Sequence, residues 1–181
     1  MKAMLRPALL LVSLASASPA FAQARHNSNA PIDFSANYIE LQDKANRAIL
    51  SGAVNVRQAE MALTAARMTV AYTGRVVDGS PQVSRIDASG GVTVTRPEQR
   101  ARSQYAVYDL NRRIITMLGT VSLNQGGNVV NGGRLTINLD SGRAVIDGSP
   151  AGGTVRTPDG TTVQQRGGRV TGRFSVPERR Q

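Results

Sequence analysis

From Ile32 onward, apolar and polar residues mostly alternate along the chain instead of recurring every three or four positions. The clearest runs are Tyr38-Ile39-Glu40-Leu41, Val54-Asn55-Val56, Val92-Thr93-Val94, Val121-Ser122-Leu123 and Leu135-Thr136-Ile137-Asn138-Leu139. A period of two sends successive side chains to opposite faces, so each run predicts a strand with one buried face. Turn residues punctuate the runs at Gly52, Asp78-Gly79, Ser89-Gly90-Gly91, Gly126-Gly127-Asn128, Asn131-Gly132-Gly133, Asp140-Ser141-Gly142 and Asp147-Gly148. Gly and Asn reach positive φ at little cost, which is what hairpin turns require. Helix competes best from Gln58 to Met68, which is rich in Ala and Met. That stretch has high helical propensity but no persuasive C-terminal stop.

An internal repeat decides the point in favour of strands. Gly52-x-Val54-x-Val56-x-Gln58, followed by Leu63, Met68 and Val70, returns as Gly119-x-Val121-x-Leu123-x-Gln125, followed by Val130, Leu135 and Ile137. A weaker copy lies between them, with Gly90, Val92 and Val94 followed by Ala101, Ala106 and Tyr108. Three copies of one hairpin-sized unit predict strands stacked in sequence order, each burying its apolar face against the next. The expected fold is all-β: a twisted antiparallel sheet of repeated hairpins folded over itself as a jelly roll or trough, with an ordinary β-sandwich as the alternative.

Ahead of the alternating region the chain has a different character. Lys2 and Arg6 precede a mostly apolar run from Pro7 through Leu14, and Pro19-Ala20-Phe21-Ala22 ends in an A-x-A pattern before Gln23. Residues 1–22 therefore read as a cleavable signal peptide, since the apolar run gives way to Ser16, Ser18 and Pro19 before it could cross a bilayer. Residues 23–30, small and polar and holding the sole His, His26, read as a flexible leader. The β domain is expected over 31–165, and 166–181 reads as a basic tail or a last strand, because Arg169-Val170-Thr171-Gly172-Arg173-Phe174 alternates. Without cysteine there is neither a disulfide framework nor a site for lipid attachment at the new N-terminus.

Charge adds a preference among partners. The net charge of +10 falls to +8 once Lys2 and Arg6 are removed, and every remaining basic residue except Lys44 is Arg. Guanidinium matches phosphate and carboxylate bidentately, so anionic lipid or polysaccharide fits, although such charge also serves solubility. Single-strand nucleic-acid readers interleave aromatics with their cations, and this chain has no Trp, three Phe and four Tyr. So few aromatics fit either a slot for an elongated apolar ligand or a narrow aliphatic core.

Catalysis is hard to assemble from these residues. One His in the leader and no Cys leave no nucleophile–His triad and no His/Cys metal site in the domain. The acids occupy turn and strand-flanking positions: Asp78, Asp140, Asp147 and Asp159 lie beside or near Gly, and Asp43, Asp87 and Asp109 flank strands. Neither Gly126-Gly127 nor Gly152-Gly153 leads into a helix pattern, so no phosphate loop is present. A binding protein without catalytic residues, cofactor or metal is the expectation.

Several segments, in order, carry a family resemblance. Pro31-Ile32-Asp33-Phe34-Ser35-Ala36, Ser51-Gly52-Ala53-Val54-Asn55-Val56-Arg57-Gln58 and Ile86-Asp87-Ala88-Ser89-Gly90-Gly91-Val92-Thr93-Val94 open the series. Ala106-Val107-Tyr108-Asp109-Leu110, Leu118-Gly119-Thr120-Val121-Ser122-Leu123-Asn124-Gln125-Gly126 and Gly132-Gly133-Arg134-Leu135-Thr136-Ile137-Asn138-Leu139 continue it. The set resembles the LptA/OstA-type periplasmic lipopolysaccharide transport proteins over about residues 31–148. The resemblance implies a β-jelly roll whose interior shelters the acyl chains of lipid A. It also implies end-to-end homo-oligomers bridging an inner-membrane export complex and an outer-membrane translocon, with energy supplied by an ATPase elsewhere. On this reading Ile32 and Phe34 contact lipid at the N-terminal mouth and Tyr108 and Leu110 further along. Val54, Val56, Val92, Val94, Val121, Leu123, Leu135 and Ile137 line the interior. The chain departs from the family pattern between Tyr72 and Ile86, where a Gly/Ser/Pro turn replaces an aromatic-containing segment. Two rivals stand beside it: a membrane-anchored relative in the same pathway that keeps its N-terminal helix, and a structural or adhesive β-repeat protein of the envelope.

Overall fold

The alternating runs form strands in the order the repeat predicts. A computed structural model describes residues 26–74, 81–148, 155–156, 162–163 and 169–174. Residues 1–22, read above as a signal peptide, the expected leader as far as Arg25, the Asp78-Gly79 turn, Gly152-Gly153, Asp159 and the tail beyond Phe174 lie outside the described residues. Two short strands, β1 (Ile32–Ser35) and β2 (Tyr38–Gln42), and a 3-10 turn (Asp43–Ala45) lead into six long ones. These are β3 (Arg47–Gln58), β4 (Met61–Thr73), β5 (Gln82–Arg96), β6 (Gln99–Asp109), β7 (Ile114–Gln125) and β8 (Asn128–Asn138). The short strands β9 (Ala144–Asp147), β10 (Val155–Arg156), β11 (Thr162–Val163) and β12 (Thr171–Arg173) follow. From β3 to β8 each strand pairs antiparallel with the next, and β10 and β11 form a separate two-stranded sheet. The segment from Gln58 to Met68 lies on β3, its turn and β4, with Met61, Leu63, Ala65 and Met68 buried.

Every second long strand, β3, β5 and β7, is broken at mid-length. Gly52-Ala53 on β3, Gly90-Gly91 on β5 and Gly119-Thr120 on β7 are all left-handed, with φ between +42° and +83°. The pairing register jumps at each of them, between Ser51 and Val54, Ser89 and Val92, and Leu118 and Val121. An extra residue at such a bulge re-aims the strand, so bulges at matching heights bend the whole sheet along one line. Glycine is required there on steric grounds as well: a Cβ on Gly90 would lie 2.7 Å from the Ala66 Cβ.

The bend divides one sheet into two leaves. The first leaf holds β1, the C-terminal halves of β3, β5 and β7, the N-terminal halves of β4, β6 and β8, and β12. The second holds the complementary halves, edged by β2 and β9. Even the edges respect the corner, because β1 and β2 separate at Ala36-Asn37, where the Asn37 N–H bonds the Gly52 carbonyl at 2.9 Å. The buried apolar side chains of both leaves form one cluster. Among the described residues the core is thus one long sheet of consecutive hairpins turned on itself rather than a two-sheet sandwich.

Candidate functional site

Pairing registers sort the inward side chains into rows that run across the strands. In the first leaf, Val56, Leu63, Val94, Ala101 and Leu123 stand opposite one another in succession, with Phe34 and Val130 at the two ends. In the second leaf, Ala48, Val70, Ile86, Tyr108, Ile115 and Ile137 form a row ended by Leu41 and Ala144. A further row there joins Leu50, Met68, Ala88, Ala106, Met117 and Leu135 between Ile39 and Ile146. All of these residues are apolar apart from the hydroxyl of Tyr108, so these three rows form an apolar lining, beside which Ser103 and Gln58 are the buried polar side chains of the sheet.

The residues singled out in the sequence fall as follows. Val54, Val56, Val92, Val94, Tyr108, Val121, Leu123, Leu135 and Ile137 are buried on this inner surface. Ile32 and Leu110 are partly buried against it. Phe34 shares the face of Val56 but is 51% exposed, because β1 is the edge strand among the described residues. The segment from Tyr72 to Ile86 continues β4 to Thr73 and begins β5 at Gln82.

Both edges expose apolar residues of the inner face. At one end Phe34, Ile39 and Leu41 are exposed, and each is paired with a buried residue, Val56, Leu50 and Ala48. At the other end Val170 and Phe174 are exposed, in phase with Gly172, which pairs with inward Val130. Isolated exposed hydrophobes are ordinary, but sets gathered on two opposite strand edges mark contact surfaces.

A polar network ties the tips of the leaves together. The Tyr108 hydroxyl donates to Gln58 Oε1 at 2.6 Å, and His26 Nε2 lies 3.3 Å from the same oxygen. Gln58 Nε2 donates to the carbonyls of Ser28 and Ala30, both at 3.0 Å. Arg113, in the turn between β6 and β7, donates to Asn29 Oδ1 at 2.9 Å. His26 to Ala30 therefore lies as a strap across the two tips, with His26 buried rather than loose. Burial pushes the Tyr108 pKa up to about 12, reinforced by the negative charge of Asp140 and opposed by Arg113. Gln58 was not among the expected site residues, although it ends the Gly-x-Val-x-Val-x-Gln unit in phase with buried Val54 and Val56 and so points inward.

The acids serve structure. Asp87 pairs with Arg85 at 2.7 Å and Asp140 with Arg113 at 3.2 Å. Asp109 accepts the Arg112 N–H in a turn, and Asp43 accepts the Tyr72 hydroxyl. Among the described residues no group of three or more His, Asp or Glu is placed to hold a metal ion.

Among the described residues the site is thus the apolar inner surface of a folded-over sheet. Residues 33–143 match the family described as LptA/(LptD N-terminal domain) LPS transport protein. This chain belongs to that family, whose members transport lipopolysaccharide and do not catalyse a reaction. It is 32% identical over 140 residues to an uncharacterized protein of Rhizobium meliloti strain 1021, covering 75% of each chain. Its fold is similar to the crystal structure of LptH from Pseudomonas aeruginosa, described as the LptA-homologous periplasmic component of that organism's lipopolysaccharide transport device. That match has a TM-score of 0.66 at 16% identity and covers 83% of this chain and 99% of the other.

Proposed function

We propose that the mature chain, beginning at Gln23 after removal of residues 1–22, is a periplasmic carrier that receives lipopolysaccharide from an inner-membrane export complex. Copies joined end to end pass it toward an outer-membrane translocon. The observation that carries this reading is the apolar inner surface running uninterrupted from one exposed edge to the other. Each acyl CH₂ withdrawn from water gains roughly 0.8 kcal/mol, so a lipid with several chains crosses an aqueous space only inside such a lining. Acyl chains enter between the leaves and replace contacts within the buried apolar cluster that the two leaves share. The edge at β1 and β2 meets the edge at β9 and β12 of the next copy, extending both sheet and lining.

Native mass spectrometry of protein gently extracted from the periplasm tests the proposal. The expected result is a mass beginning at Gln23 with lipopolysaccharide bound. Protein that never carries lipopolysaccharide, even when mixed with it, contradicts the carrier and favours the adhesive alternative.

A further inference from the structure

The inward row at the tip of the first leaf differs from every row beneath it. Gln58, Met61, Arg96, Gln99, Gln125 and Asn128 occupy successive strands there, one step beyond the apolar row that contains Val94. Arg96 continues the inward phase of Val92 and Val94, which are buried. Its Nη1 is buried and has no hydrogen-bond partner. Arg134 also holds a nitrogen without a partner, but it alternates with inward Leu135, so it faces outward, opposite Asp147.

We propose that Arg96 is the anion-holding residue at the rim of the apolar interior, taking a phosphate of the lipid whose acyl chains lie between the leaves. This rests on the lipid-carrying reading above and adds a head-group site to it. A guanidinium offers a rigid fork that matches phosphate bidentately, and a donor buried without a partner is costly unless a ligand completes it. Burial holds the Arg96 pKa below its usual range, with the nearby charge of Glu60 opposing the shift. Gln99 stands beside it in the same row with Gln125 beyond, and such neutral amides can donate to phosphate oxygens without repelling them. A polar rim one residue above a hydrocarbon lining reproduces the polarity profile of an amphiphile, and Arg96 is the rim's cation.

The test compares binding of bisphosphorylated lipid A and of acyl-matched lipid A stripped of phosphate to the mature protein, its Arg96→Gln variant and its Arg96→Lys variant. Arg96→Gln is expected to weaken the phosphorylated lipid about tenfold while leaving the stripped lipid within about twofold, and Arg96→Lys to recover part of the loss. The lipid-free Arg96→Gln protein is expected to melt no lower than the parent, because the substitution removes a desolvated charge. Equal losses for both lipids, a lower melting temperature, or no loss at all overturn the assignment. Displacement of the phosphorylated lipid by millimolar inorganic phosphate alone also overturns it, since the site would then recognise free phosphate and not an amphiphile. A parent protein that binds neither lipid removes the carrier reading itself, whereas one that binds both equally removes only the role of Arg96.

Discussion

Tyr108 and Gln58 belong to opposite leaves of one folded sheet, and the hydroxyl of the first donates to the amide oxygen of the second at 2.6 Å. The bond closes the tips that the mid-strand corners bring together. Tyr108→Phe leaves Gln58 its contacts with the strap and is expected to cost about 0.5–1.5 kcal/mol. Gln58→Leu also deprives the Ser28 and Ala30 carbonyls of their donor and is expected to cost more, about 1–3 kcal/mol. Urea unfolding of both single variants and the double variant measures this. Fully additive losses would show that the two residues do not act together.

Burial of the same hydroxyl gives a signature in base. The Tyr108 pKa rises from 10.0 to about 12 in the folded protein, chiefly through burial. The folded state therefore keeps a proton that the unfolded chain releases, so this contribution is complete below pH 10 and is lost as pH rises through about 12. The parent is expected to lose more stability than Tyr108→Phe over that interval. Burial also raises the Tyr72 pKa, so a smaller common decline remains in both proteins. Parallel stability–pH curves would contradict the assignment.

The corners store strain that substitution can release or increase. Thr120 is β-branched and sits at φ +42°, a left-handed conformation that such residues rarely adopt. Thr120→Gly is expected to stabilise the fold by about 1 kcal/mol in denaturant titration, after the added freedom of the unfolded chain is offset. Gly90→Ala meets both the clash with Ala66 and a φ of +83°, and is expected to destabilise by about 1–3 kcal/mol. A neutral Gly90→Ala would show that the corner relaxes freely.

Strand alternation and the Gly-x-Val-x-Val repeat were legible because the period-two pattern maps directly onto a sheet with one buried face. Gly52, Gly90 and Gly119 marked the repeat units, and in the fold they mark the bend. Their role as aligned corners was not legible, because local pattern does not say which turn residues lie between strands and which lie within one. For the same reason Asn131-Gly132-Gly133, read as a turn, lies inside β8. Phe34 was read as a lipid contact at the N-terminal mouth, and its exposure depends on being at a sheet edge, which only the pairing order reveals. His26 was read as part of a flexible leader because no local pattern could foresee Gln58, 32 residues away, as its partner.

The exposed edge residues carry the end-to-end proposal. Phe34→Asp and Leu41→Asp place charges on the outermost strands, where a folded monomer tolerates them within about 1 kcal/mol but an incoming strand edge does not. Small-angle scattering of the parent is expected to show elongation that grows with concentration, and the variants to remain monomeric with unchanged β-type circular dichroism. A parent that stays monomeric throughout contradicts edge-to-edge growth.

The most direct test of a lipid carried between the leaves is photo-crosslinking in cells, with a crosslinking residue placed one position at a time. Ile32, Phe34 and Leu110 lie on the inner face or pack against it, whereas Thr64 and Ser122 alternate with buried neighbours and face outward. Lipopolysaccharide adducts are expected at the first three and not at the last two, with all five proteins folded. Adducts spread over both faces, or absent from the inner one, would contradict the carrier.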